Sequence, residues 1–271
     1  MDNRSIGVFD SGLGGLTTVK ELKELLPHEN IVYFGDTSRV PYGSRSRETI
    51  LKYARQDIRF LLTHDVKLII IACGTVSSIV TDQIAAEYEV PIIRVLGPAA
   101  QAACAVNRDG GIGVLGTSAT VRSGSYGKAI RAIKPNARVI GKACPLFVPL
   151  VENGFVDRDN PVTRLVAEGY LEDLKKESID TVILGCTHYP LLYPIISDIL
   201  GEDITLVDSG KETARYAAAA LKSMGLVSDR TEDGTCAFYI SDQPDDFTAI
   251  AERFLSERVK NNVHVIDIEK Y

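Results

Sequence analysis

Ile6-Gly7-Val8-Phe9-Asp10-Ser11-Gly12-Leu13-Gly14-Gly15-Leu16 decides the fold class. Residues 6–9 are an apolar run of strand length, residues 10–15 form a glycine-rich turn, and Leu16, Val19, Leu22, Leu25 and Leu26 then recur at helical spacing until Pro27 stops them. Strand, turn and helix in that order are the start of a parallel sheet wrapped in helices, and the chain repeats the pattern. Residues 31–34 read as a second strand. A loop with Pro41, Tyr42 and Gly43 leads into a helix that Ser46 can cap, with Ile50, Ala54, Ile58, Leu61 and Leu62 on one face. Residues 67–72 do not alternate and are expected to be buried on both faces. A helix through about Tyr88 and a strand at 92–95 follow.

The pattern then restarts, with strands expected at 111–115, 138–140, 181–184 and 204–207. Ile6-Gly7-Val8 is echoed by Ile112-Gly113-Val114, and Ile71-Ala72-Cys73-Gly74-Thr75 by Leu184-Gly185-Cys186-Thr187. Similar offsets indicate two halves of similar build. Further strands expected at 235–240 and 263–266 suggest a tail that returns to the first half. The expected class is α/β, with one domain at 1–97 plus 208–271 and a second at 98–207.

Composition removes several function classes. Apolar residues at 45% and charged residues at 24% suit an ordinary globular core. A net charge of −6 with no Lys/Arg run argues against a grip on nucleic-acid phosphates. Apolar runs such as 68–72 fall far short of the roughly 20 residues that span a bilayer, and Met1-Asp2-Asn3-Arg4 does not open a signal peptide, so a cytoplasmic protein is expected. The cysteine number, 5, is odd and without a C-x-x-C pair, which argues against a disulfide framework and a metal site.

Ligands of open α/β sheets lie beyond the carboxyl ends of the strands. That rule selects Asp10-Ser11, Cys73-Gly74-Thr75, Thr117-Ser118-Ala119-Thr120 and Cys186-Thr187-His188. Any one of these could be an ordinary cap or turn; their conjunction carries the signal. Cys104, Cys144 and Cys236 read as packing residues. Cys73 and Cys186 each stand just past an apolar strand, at an expected helix start where the dipole favours a thiolate. Two thiols in equivalent places of two halves can face one carbon from opposite sides, one removing a proton while the other returns one. Asp10 and His188 are the candidates to shuttle those protons, while His28, His64 and His264 lie in segments with no other candidate group. Gly111, Gly113 and Gly116 match G-x-G-x-x-G but sit within a strand, Thr17 stands where the first turn would need its third glycine, and no P-loop is present, so nucleotide binding is not favoured.

The chain resembles the cofactor-independent glutamate racemases of the aspartate/glutamate racemase superfamily, almost end to end. The resemblance covers residues 7–17, Tyr33-Phe34-Gly35-Asp36, Val40-Pro41-Tyr42-Gly43, Ala72-Cys73, Cys144-Pro145-Leu146-Phe147-Val148-Pro149-Leu150-Val151-Glu152 and Leu184-Gly185-Cys186-Thr187-His188-Tyr189-Pro190. It implies two flavodoxin-like domains related by a pseudo-two-fold axis with glutamate bound between them. Cys73 and Cys186 would be the acid/base thiols, Asp10 and His188 their assistants, and Glu152 a further helper near the second thiol. Substrate-binding positions would be Asp10, Ser11, Pro41, Tyr42, Gly43, Gly74, Thr75, Thr117, Thr120, Thr187 and His188. No cofactor, a homodimer, and D-glutamate for peptidoglycan and cell shape are implied as well. One position departs: where the family usually reads Ala-Cys-Asn-Thr-Ala, this chain has Ala72-Cys73-Gly74-Thr75-Val76, which leaves an aspartate or other amino-acid racemase as an alternative. A protein that closes on a small anion without chemistry is the alternative from another class.

Overall fold

Ten parallel-paired strands divide between two sheets in the computed structural model, which describes residues 1–243, 247–257, 259 and 263–271. The strands are β1 (Ser5–Asp10), β2 (Ile31–Gly35), β3 (Val66–Ile71), β4 (Ile92–Arg94), β5 (Gly111–Gly116), β6 (Val139–Ala143), β7 (Ile179–Leu184), β8 (Thr205–Asp208), β9 (Cys236–Ile240) and β10 (Val263–Val265). One sheet has the order β10-β9-β2-β1-β3-β4 and the other β6-β5-β7-β8. The run β2-β1-β3-β4 has the same strand order as β6-β5-β7-β8, so the local echoes in the sequence correspond to one topology used twice. Strands β9 and β10 extend the first sheet beyond β2.

Hydrophobic burial explains why the central strands lack alternation. Every residue of β3 and of β5 is buried, because helices cover both faces of each sheet. Leu68, Ile69, Ile70 and Ile71 are fully enclosed, each contributing about 1.5–3 kcal/mol relative to exposure. Lys67, in the same strand, is also enclosed and pairs with Glu29 at 2.5 Å. The helix Arg47–Leu62 starts where Ser46 Oγ accepts from the Thr49 amide at 3.2 Å, and it buries Ile50, Ala54, Ile58 and Leu61 while Leu62 is half-buried.

One helical expectation is corrected. The segment after Cys73 is not continuous to Tyr88 but forms Gly74–Ile79 and a separate turn, Asp82–Ala85. Val80 and Thr81 are extended, and Thr81 Oγ1 caps the second turn by accepting from the Ile84 amide. Arg94 takes up the freed Val80 carbonyl at 2.8 Å, which satisfies the end of the first helix. Equivalent registers bring the strand ends level: Phe9 pairs with Ile71 in one sheet and Leu115 with Leu184 in the other. The loops after β1, β3, β5 and β7 therefore emerge together.

Candidate active site

A cavity of about 570 Å³ opens among these loops, with Cys73 and Cys186 both on its wall. Cys73 is the cap residue of the helix Gly74–Ile79 and is 5% exposed; its Sγ donates to Ser11 Oγ at 3.4 Å. Cys186 follows β7 by two residues and is 7% exposed. Its Sγ lies 3.8 Å from His188 Nδ1, and His188 Nε2 lies 2.9 Å from Glu152 Oε1. Each sulfur thus comes from a different sheet and has a different polar partner.

Electrostatics separates the two thiols further. Burial, aided by the charge of Asp10, pushes the Cys73 thiol up to about 12, against the hydrogen bond with Ser11. The expectation of a thiolate favoured by a helix start is therefore corrected at Cys73: desolvation in an enclosed wall outweighs a six-residue helix. At Cys186 no α-helix begins; the next element is the 3₁₀ turn Tyr189–Leu192, and the nearby cation is His188. Burial opposes charge on His188, but hydrogen bonds and charge interactions with Cys186 and Glu152 prevail and push the imidazole up to about 10. At neutral pH both ring nitrogens then donate, Nδ1 toward Cys186 and Nε2 to Glu152. Burial likewise raises the carboxyl of Asp10, with the charge of His188 opposing.

Glycine makes this approach possible. A Cβ at Gly14 would stand 2.6 Å from His188 Nδ1, so no larger residue fits there without moving the imidazole. Thr17, in the helix that follows, sets its hydroxyl between the carbonyls of Gly14 and Thr187 at 2.9 and 3.1 Å. Thr187 Oγ1 in turn donates to Asp10 Oδ1 at 3.4 Å. On the other side of the cavity, Thr75 Oγ1 meets Thr117 Oγ1 at 2.9 Å, a direct link between the two halves.

Most of the sequence-selected residues border the cavity: Ser11, Pro41, Tyr42, Gly43, Gly74, Thr75, Thr117, Glu152, Thr187 and His188 accompany the two cysteines. Three set polar groups behind that lining. Asp10 stands behind the wall, accepting from the Gly12 amide at 3.0 Å. Thr120 is turned from the cavity and its Oγ1 lies 3.0 Å from that of Thr117, which it braces. Tyr42 sends its hydroxyl inward between the carboxyls of Asp36 and Asp57, where Arg39 also binds Asp36 at 2.6 Å, so only the rest of Tyr42 faces the cavity. Sequence reasoning missed Thr17 as a brace and Arg122 as the one Lys or Arg among the described residues lining the cavity. For Arg122 the available signal was a cation a few residues beyond the Thr117 strand end. Cys144 is in the core, and His64 packs against the rings of Phe60 and Tyr239. A second cavity of about 590 Å³, lined by Lys20, Lys211, Arg215 and Arg253 together with Glu21, Asp208 and Glu212, lies behind His188, whose ring stands perpendicular to that of Phe254 with centroids 5.2 Å apart. It contains neither thiol.

With two thiols from different sheets bordering one cavity, the site is built for acid/base chemistry at a small substrate, and comparison with known proteins gives the class. The chain belongs to the Asp/Glu/hydantoin racemase family, whose model matches residues 8–217, and it is an amino-acid racemase. Within that family it is similar to the glutamate racemase of Chlorobaculum tepidum, 48% identical over 92% of each chain. Among solved structures it matches a glutamate racemase of Bacillus anthracis, with a TM-score of 0.93, 36% identity and 98% of each chain covered. It also matches the glutamate racemase of Francisella tularensis in complex with D-glutamate, with a TM-score of 0.92, 38% identity and full coverage of both chains.

Proposed function

We propose that the chain interconverts L- and D-glutamate by two-sided proton transfer between Cys73 and Cys186, without a cofactor. The observation that carries this reading is that the two thiols border one cavity from the ends of two different sheets. One sulfur, as thiolate, takes the Cα proton; the other, as thiol, delivers a proton to the opposite face. Each turnover leaves the two protonation states exchanged, so a proton must return before the next cycle in the same direction. In this reading His188 and Asp10 serve that return, supported by the nearness of His188 to Cys186 and by the electrostatic coupling of Asp10 to Cys73.

The rest of the wall gives the substrate its grip. Ser11, Thr75, Thr117 and Thr187 offer hydroxyls, and Gly43 and Gly74 offer main chain, to the two carboxylates and the ammonium of glutamate. Thr120 and the Tyr42 hydroxyl serve as supports behind that layer. Glu152 holds the imidazole of His188 from the side away from Cys186. The chain divides functionally into 1–97 with 208–271, and 98–207, each part contributing one thiol. The product supplies D-glutamate for peptidoglycan, in the cytoplasm, from a homodimer. No helix among the described residues is long and apolar enough to cross a membrane.

Purified protein incubated with L-glutamate in D₂O is expected to yield D-glutamate carrying deuterium at Cα, with no added pyridoxal phosphate. Absence of exchange and of inversion from both enantiomers would reject the reading, and faster turnover of aspartate would move the substrate assignment.

A further inference from the structure

The helix Phe247–Leu255, in the returning tail of the chain, reaches the pair His188 and Glu152 with two consecutive side chains. Arg253 Nη1 donates to the carbonyls of Glu152 and Val151 at 2.9 and 3.2 Å. Those carbonyls end the helix Phe147–Glu152, where main-chain oxygens have no further intrahelical donors and a cation is a favourable partner. Phe254, the next residue, sets its ring perpendicular to that of His188. Gly154 leaves room for the guanidinium: its φ is +81°, and a Cβ there would stand 2.8 Å from Arg253 Nη2. The arm that carries both side chains is firmly seated. Phe247, Ile250, Ala251, Phe254 and Leu255 are buried, and just past the helix Ser256 Oγ accepts from Lys20 Nζ at 3.2 Å.

We propose that Arg253 is a positioning residue for the second thiol: by holding the main chain of Glu152 it aims that carboxylate at His188 Nε2 and so sets the imidazole beside Cys186. This inference rests on the two-thiol reading above. The route is continuous in distance, with 2.9 Å from Arg253 to the Glu152 carbonyl, 2.9 Å from the Glu152 carboxylate to His188 Nε2, and 3.8 Å from His188 Nδ1 to Cys186 Sγ. Glu152 needs such an anchor because its carboxylate is partly exposed and water competes for it. Arg253 lies outside the lining of the cavity that holds both thiols. Its influence is therefore one-sided: it reaches Cys186 through His188 and has no such route to Cys73, whose polar partner is Ser11.

Arg253→Met removes the donors and keeps an unbranched side chain. In this variant kcat for glutamate racemisation is expected to fall about tenfold, less than a 1 Å misplacement of a reacting group costs, with KM within about twofold. Elimination from 3-chloroglutamate separates the two sulfurs because it needs one base: a thiolate takes the Cα proton, chloride leaves from Cβ with the bonding pair, and the resulting enamine hydrolyses to 2-oxoglutarate and ammonium. In Cys73→Ser, where Cys186 is the remaining site thiol, adding Arg253→Met should slow elimination about tenfold; in Cys186→Ser it should change the rate by less than about twofold. In Glu152→Ala, which has no carboxylate to aim, Arg253→Met should cost no more than about twofold further, whereas a through-space effect of the lost charge would persist. Independently of turnover, iodoacetamide should alkylate Cys186 at least about threefold more slowly in Arg253→Met, with Cys73 unchanged, as read by mass spectrometry with peptide mapping. Arg253→Lys should show the same one-sided pattern at smaller amplitude, and Thr248→Ala, exposed on the same helix, should match wild type.

Equal slowing of elimination in the two serine backgrounds, an undiminished loss in Glu152→Ala, or equal changes in the alkylation of Cys73 and Cys186 would overturn the proposal. So would racemisation by Arg253→Met at the wild-type rate. A collapse of folding in Arg253→Met would overturn it too, since the buried residues of the helix are expected to hold, with the unfolding midpoint lowered by only a few degrees. Should wild type fail to racemise glutamate while Arg253→Met still slows alkylation of Cys186 alone, the function reading fails and the positioning role of Arg253 is supported.

Discussion

Replacing Glu152 with glutamine removes the anion that faces His188 Nε2 at 2.9 Å while keeping the shape of the side chain. His188 is 8% exposed and Glu152 is 32% exposed, so water partly screens the pair. A hydrogen bond between charged groups contributes about 1.5–3 kcal/mol, and screening places this one near the lower end. At about 1.4 kcal/mol per pH unit, the loss should lower the imidazole by roughly one unit, from the wild-type position near 10. The assay is kcat at saturating L-glutamate across about pH 6–11, which excludes the ionisation of the free substrate's ammonium, so that a descending limb reports loss of the imidazolium. The limb should move from near 10 to about 9, with little change at neutral pH, because His188 is still protonated there. Stability carries the matching sign. The wild-type imidazole rises from 6.5 when unfolded to about 10 when folded. Its contribution is therefore complete below the lower value and lost as pH climbs through the higher one. The difference in unfolding free energy between wild type and Glu152→Gln should be about 1 kcal/mol near neutrality and vanish above the folded value. A profile that drops uniformly without moving its alkaline limb would refute the coupling of Glu152 to His188.

Cys73→Ser and Cys186→Ser should each abolish racemisation while leaving elimination from 3-chloroglutamate in one enantiomeric sense; equal, mild losses would argue against direct proton transfer. Tyr42→Phe takes a donor from the buried pair Asp36 and Asp57 and should cost about 1.5–3 kcal/mol in urea unfolding, with KM rising more than kcat falls as the loop bearing Pro41 and Gly43 loosens. Lys67→Met leaves Glu29 enclosed without its cation, which should cost about 3–5 kcal/mol, most of it recovered when Glu29→Gln is added.

The fold class was legible because strand, turn and helix recur with clear apolar periods, and the paired cysteines were legible because each follows a buried strand. Contacts made only in three dimensions were not. Tyr42 stands in a loop that borders the cavity, yet two buried carboxyls and Arg39 draw its hydroxyl inward. Thr120 shares a strand end with Thr117, but one helical turn rotates it behind that residue. The charge environment of Cys73 depends on desolvation, which no local motif encodes. Gly74 read as a lost amide; the closeness of the Gly185 carbonyl is a property of how the two halves meet.

Repeated topology also explains why the thiols are equivalent in place and unequal in surroundings. Identical strand order brings each sulfur to the same point of its own sheet, whereas the loops from other strands differ, giving Ser11 to one and His188 with Glu152 to the other. Such inequality does not bias the equilibrium, because enantiomers have equal free energies in water and the two values of kcat/KM must then be equal. It can appear only in the separate kcat and KM values for each direction. A thiol pushed up to about 12 on one face and an imidazolium-supported thiol on the other thus predict unequal turnover numbers for L- and D-glutamate, with KM values unequal in the same ratio.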